Sequence, residues 1–211
     1  MGKKIIFGLL ALFLVNVTMT SCTSDEEIEK RPVSEEYTKI AKEILKDSIV
    51  FQTKAMQSTI NKTLLENGCP VKYHFSWVDE NTLNVRIKSF TVGKMPVMIW
   101  YNINCRFMRL NSWEKEEYKG DGWIKFQGDK GRTDYEALES SYQDGDGGDG
   151  YTTGYINVLT KEIEVAFNFN VMAMQCFVFR QKVDYSKMDT YEKDFAQFEK
   201  DLAKYKEEHG L

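Results

Sequence analysis

The sequence predicts an α+β domain built on an antiparallel, strongly curved sheet or small barrel of six or more strands, with an N-terminal helix and a C-terminal amphipathic helix. Three observations carry this. Strict alternation of apolar and polar residues recurs in several segments between positions 71 and 171, the period of a half-buried strand. Short polar turns join pairs of these segments, as in hairpins. At both ends of the domain apolar residues recur instead every three or four positions, the period of a helix face.

Ser34 is placed to cap the first helix, with Glu35 and Glu36 in its first turn and Tyr37, Ile40 and Ile44 on one face. Residues 48–65 read two ways: Ile49-Val50-Phe51 as strand, Lys54 to Leu65 as helix. Gly68 and Pro70 end that stretch. Val71, Tyr73, Phe75 and Trp77 then alternate with Lys72, His74 and Ser76. After the turn Asp79-Glu80-Asn81, Leu83, Val85 and Ile87 alternate with Asn84, Arg86 and Lys88. Beyond Pro96, Val97, Ile99, Tyr101, Ile103, Cys105 and Phe107 share one face; Met98, Trp100, Asn102, Asn104 and Arg106 share the other.

Nine of the 14 glycines fall between Gly120 and Gly154. That density predicts loop, with one short strand near Trp123–Phe126. A second hairpin follows, from Tyr155 to Val171, turning near Thr160-Lys161. Met174 to Val183 is apolar on both faces, as in a strand covered on both sides. Met188, Tyr191, Phe195, Phe198, Leu202 and Tyr205 mark the closing helix, with Asp189 and Glu192 as its capping box. A closed sheet of this kind would resemble the calycin barrels, which hold one small ligand; an open sheet fits the same pattern.

The N-terminus carries a different signal. Lys3 and Lys4 precede a 13-residue apolar run, Ile5 to Val17, too short for a membrane span of about 20 residues but suited to a signal peptide. The run leads to Met19-Thr20-Ser21-Cys22. That ending resembles a bacterial lipobox, and the resemblance implies cleavage before Cys22 and diacylglycerol on its thiol. The acidic residues Asp25, Glu26 and Glu27 just after it resemble the export signal of Bacteroidetes surface lipoproteins. The layout is similar to small Bacteroidetes outer-membrane lipoproteins of unknown function, which implies a location and transfers no functional residue except Cys22. The expected organisation is a signal peptide over 1–21, a lipidated cysteine and acidic tether over 22–33, and one α+β domain over 34–211. The expected location is the outer membrane, held by the lipid, on the cell surface or else on the periplasmic face.

Hydrophobic residues at 42% and charged residues at 28% exclude a disordered chain and a polytopic membrane protein. The net charge of −4 becomes −6 once Lys3 and Lys4 are removed, since residues 1–21 contain no acid. Nucleic acid is therefore not an expected partner. Cys69, Cys105 and Cys176 are odd in number; a Cys105–Cys176 bridge and three buried thiols both fit.

No catalytic signature appears. Of the two histidines, His209 lies at the C-terminus and His74 on the polar face of a hairpin strand, with no nucleophile motif beside either. Asp144, Asp146 and Asp149 sit in a glycine-rich loop that suits a hard cation such as Ca²⁺, but the EF-hand positions after Asp144 do not match. Glu162 and Glu164 share a strand face and could act as acid and base on a glycosidic bond. Asparagine is depleted in strands, so the stripes Asn102/Asn104 and Asn168/Asn170 ask for a reason. Brought together near Trp100 and Trp123, four amides would suit a neutral polar ligand such as a sugar. Met95, Met98, Met108, Met172 and Met174 could line an apolar cavity, or simply fill the core. The leading expectation is a lipid-anchored binding or interaction module without catalysis or cofactor, taking a glycan, a small apolar molecule or a protein. The alternative is a secreted carboxylate-dependent hydrolase such as a glycosidase. The sequence leaves the oligomeric state open.

Overall fold

The computed structural model describes residues 32–138 and 143–211. Lys3, Lys4, the lipobox, Cys22 and the acidic residues Asp25, Glu26 and Glu27 lie outside the described residues.

The elements run, in chain order, α1 (Glu35–Ile44), β1 (Ser48–Gln57), β2 (Ile60–Asn61), β3 (Cys69–Trp77), β4 (Thr82–Phe90) and β5 (Val97–Met108). They continue with α2 (Ser112–Glu117), β6 (Trp123–Ala137), β7 (Gly145–Asn157), β8 (Glu162–Asn168), β9 (Met174–Lys182) and α3 (Lys187–Glu208). Eight of the strands form one antiparallel meander, β1-β3-β4-β5-β6-β7-β8-β9. It closes into a barrel where β9 pairs back onto β1, from Thr53↔Val178 to Gln57↔Met174. The two-residue β2 extends the end of β1. Closure removes the exposed sheet edges that an open meander would leave.

Side-chain alternation places every second residue in the lumen, and aromatics fill it. Tyr73 on β3 stacks on Phe167 of β8 with ring centroids 5.3 Å apart, and Tyr101 on β5 meets Phe169 edge-on at 5.2 Å. Their hydroxyls are paired inside: Tyr73 with Thr53 at 3.0 Å and Tyr101 with Thr152 at 3.2 Å. A buried hydroxyl without such a partner would cost about 1–3 kcal/mol. Cys69, Cys105 and Cys176 are free, buried thiols, so the Cys105–Cys176 bridge is not formed. Met95 and Met174 belong to this core, while Met98, Met108 and Met172 are only partly buried and do not join them around a common cavity.

The stretch read as loop between Gly120 and Gly154 is mostly two long strands, β6 and β7. Its glycines are strand glycines that make room for rings. A Cβ on Gly150 would lie 2.8 Å from the Tyr101 ring and 2.6 Å from the Asn168 carbonyl oxygen, and Gly154 accommodates Phe126 in the same way. The ambiguous residues 48–57 are strand β1. Ile49, Val50 and Phe51 are all buried because α3 packs outside β1 and β3, which hides the alternation.

Ser34 caps α1 as expected, its hydroxyl accepting from the Tyr37 amide at 3.2 Å. The capping box at Asp189 and Glu192 does not form. Instead α3 starts one turn earlier at Ser186, whose amide and hydroxyl donate to Asp184. The helix buries Phe198 and Leu202 against the barrel.

Candidate functional site

An open cleft lies on the outer wall of the barrel, over β4, β5 and β6. Strand β6 carries one extra residue between Gly128 and Gly131, which turns Asp129 and Lys130 both outward. The β5–β6 ladder is interrupted at the same place, between Asn102↔Arg132 and Arg106↔Gln127. Gly128 lets the two strands stay close there, since a Cβ would lie 2.8 Å from Ile103. The result is an open cleft of about 830 Å³, lined by Asn102, Asn104, Arg106, Gln127, Lys130 and Arg132 among others.

Asn102 and Asn104 of its lining belong to an amide network that continues onto β4. Register places Asn84 of β4 opposite Asn104 and Arg86 opposite Asn102. Asn84 Nδ2 donates to Asn102 Oδ1 and to Asn104 Oδ1, both at 2.7 Å, and Asn84 Oδ1 accepts from Arg86 Nε at 3.0 Å. An arginine only donates, so its contact identifies the Asn84 oxygen and thereby which end of the amide faces Asn102 and Asn104. Asn84 is 6% exposed, while its partners stand at the surface. Asn102 and Asn104 were legible as a stripe; Asn84 was not, because only the hairpin register reveals that it sits between them.

The other expected members lie elsewhere. Asn168 and Asn170 are three strands away and serve a turn: Asn168 Oδ1 accepts from the Asn170 amide at 2.8 Å, and Asn170 has φ +52°, a conformation asparagine tolerates. Trp100 continues the outward row of Asn102 and Asn104, partly buried, opposite Asp134. Trp123 instead packs on Tyr118 beneath α2, with the Arg180 guanidinium 5.5 Å from its ring.

The three loop aspartates do not converge. Asp144 accepts from the Ala137 amide at 2.8 Å, Asp146 faces Asp134 across the β6–β7 ladder, and Asp149 faces Arg132. Among the described residues no group of three or more His, Cys, Asp or Glu gathers as metal ligands would.

The carboxylates on the opposite wall are each engaged. Glu162 accepts from the Thr160 hydroxyl at 2.8 Å, and Glu164 from Arg180 at 3.0 Å, with Glu117 3.7 Å from the same guanidinium. Under α2, Glu114 is ion-paired to Lys125 at 2.8 Å with both side chains about a tenth exposed. It also accepts from the Tyr155 hydroxyl and the Asn111 amide. Burial pushes the Glu114 pKa up, but these three donors outweigh it and hold the carboxyl below its ordinary value. A general acid needs the opposite shift.

His74 lies on the outer face of β3, with Nδ1 2.7 Å from Ser48 Oγ. Burial lowers its pKa, and Lys88, Lys72 and Arg86 lower it further, against a smaller opposing effect of Asp47. His209 closes α3, stacked on Tyr205.

No helix among the described residues is long and apolar enough to cross a membrane. No curated protein and no solved structure is detectably similar to the chain. One family model matches residues 22–210, nearly the whole sequence, and the chain belongs to that family, described as a domain of unknown function (DUF4903).

Proposed function

We propose that this protein is a lipid-anchored module of the bacterial cell envelope that binds a glycan on the outer wall of its barrel, without catalysis. The observation that carries the binding reading is the Asn84–Asn102–Asn104–Arg86 network, which shares Asn102 and Asn104 with the β5–β6 cleft. Fixed amides in an open groove with a guanidinium beside it suit the hydroxyl and ring oxygens of a sugar chain. The lumen is a poorer site, because Tyr73, Tyr101, Phe167 and Phe169 already occupy it. The anchor is supported by the lipobox Met19–Cys22 that follows the apolar run. Two or three acyl chains would hold the protein firmly, at about 0.8 kcal/mol per buried CH₂.

A glycan array probed with the intact protein tests the binding. Signal is expected that falls to background in Asn102→Ala with Asn104→Ala; signal that survives this pair and Trp100→Ala removes the proposal. Mass spectrometry of the N-terminal peptide from expressing cells tests the anchor. An acylated Cys22 is expected, and an unmodified Cys22 contradicts it.

A further inference from the structure

We infer that the glycan is acidic, with carboxylate or sulfate groups held by Asn102, Asn104 and Arg86 together with the neighbouring basic residues Lys72, His74 and Lys88. The inference rests on the outer wall being the binding surface and adds the chemical class of the ligand.

The first ground is hydrogen-bond polarity. Both Asn84 donors point at the Oδ1 atoms of Asn102 and Asn104, so those oxygens are used within the wall. Each of those oxygens keeps a second lone pair, whereas both N–H groups of Asn102 and of Asn104 are open to a ligand. Arg86 uses Nε on Asn84 and keeps its terminal nitrogens, also donors. This part of the wall thus has more open donors than open acceptors, which favours a ligand rich in acceptors. A carboxylate or sulfate only accepts.

The second ground is charge. His74 and Arg86 are directly opposite each other on β3 and β4, and Lys72 and Lys88 are two residues further along the same outward rows. Lys72, Arg86 and Lys88 are like charges on one face of the sheet, and like charges placed so repel. Among the described residues none of these four forms an ion pair. Lys72 lies 4.3 Å over the Tyr191 ring and His74 rests on Ser48, neither of which brings negative charge. In the cleft proper, by contrast, Arg132 is paired with Asp134, and Arg106 is close enough to Asp79 to lower its pKa. This surplus on β3 and β4 stands on a chain whose net charge is −4. A local surplus of this kind fits a ligand with spaced anionic groups better than a continuous polyphosphate.

The third ground is shape. Between α3 and the two strands lies a second cleft of about 290 Å³, lined by Lys72, His74, Lys88, Tyr191 and Phe195. Two cations and an imidazole face two aromatic rings across it. One acidic sugar fits that chemistry, its charge on the lysines and its apolar face beside Tyr191 and Phe195.

Calorimetric titration of the intact protein in low salt tests this, with polygalacturonate, heparin, dextran and single-stranded DNA as probes. Polygalacturonate or heparin is expected to bind, and which of them does separates carboxylate from sulfate. Dextran is expected not to bind. Lys72→Ala with Lys88→Ala should weaken binding by about tenfold or more, as loss of charged hydrogen bonds does, and added salt should weaken it too. Lys200→Ala with Lys204→Ala, on the far side of α3, should leave it unchanged. Dextran binding as tightly as the acidic polymers would overturn the inference and leave the wall as a neutral glycan site. Binding of none of the three polysaccharides would overturn both. DNA binding more tightly than the polysaccharides, or a Lys72/Lys88 variant equal to the original, would overturn the inference alone.

Discussion

Glu114 shows how one residue ties several elements together. Its backbone amide donates to Asn111 Oδ1 and its carboxylate accepts from the Asn111 amide, closing a reciprocal cap on α2. The same carboxylate meets Lys125 of β6 and Tyr155 of β7, so the short helix is fastened to the barrel wall by one side chain. Removing one charge of such a covered pair costs about 3 kcal/mol. Glu114→Gln is therefore expected to lower unfolding free energy by about that much at neutral pH. Because the folded pKa lies below the unfolded one, near 4.3, the carboxylate's contribution is complete above that value and is lost as pH falls through the folded pKa. Variant and original should converge in urea melts at low pH; a difference that persists there would mean the effect is packing and not charge. At the same scale, Asn102 and Asn104 could be found in the sequence because asparagine is rare in strands, and Asn168 and Asn170 matched that rule for another reason. A turn and a left-handed φ account for them, and no pattern of residue types separates the two cases.

Among the elements, those with one face in the lumen and one in solvent were legible: β5 and β8 alternate along nearly their whole length, and β3 and β4 do so outside the consecutively buried Cys69–Val71 and Leu83–Val85. The elements that were missed break the pattern for physical reasons. Strand β1 is covered by α3 outside and by the core inside, so it has no polar face to alternate with. Strands β6 and β7 replace lumen side chains with glycine so that Tyr101 and Phe126 can fill the space from neighbouring positions, which makes them look like loop. Closure was also out of reach, because it depends on one junction. Strands β9 and β1 pair through their main chains only from Thr53 onward. Beyond that point Gln181 takes over: its Oε1 accepts from the Gln52 amide at 3.0 Å and its Nε2 donates to the Gln52 carbonyl at 3.1 Å. A bulge at Phe179-Arg180 turns the chain so that Gln181 can reach. Gln181→Ala leaves both Gln52 groups to water and should cost about 1–3 kcal/mol. Hydrogen exchange should then speed up at the Gln52 amide, while the β6–β7 ladder keeps its protection. Uniform acceleration of all strands would show that the junction is not a local weak point.

For the whole molecule, a filled barrel changes where function belongs. In a barrel of eight strands the lumen is just wide enough for side chains or one small ligand, and here rings from β3, β5 and β8 meet across it. The working surface proposed here is instead outside, where a bulge opens the β5–β6 wall and the basic residues of β3 and β4 adjoin it. The most direct measurement is a nitrogen-15 NMR titration of the protein with a galacturonate oligosaccharide. The account predicts that the side-chain amide signals of Asn102 and Asn104 and the Nε–H signal of Arg86 shift together and saturate, while the backbone amides of Tyr101, Thr152 and Phe167 stay in place. Shifts concentrated at those lumen residues, with Asn102, Asn104 and Arg86 unmoved, would contradict it.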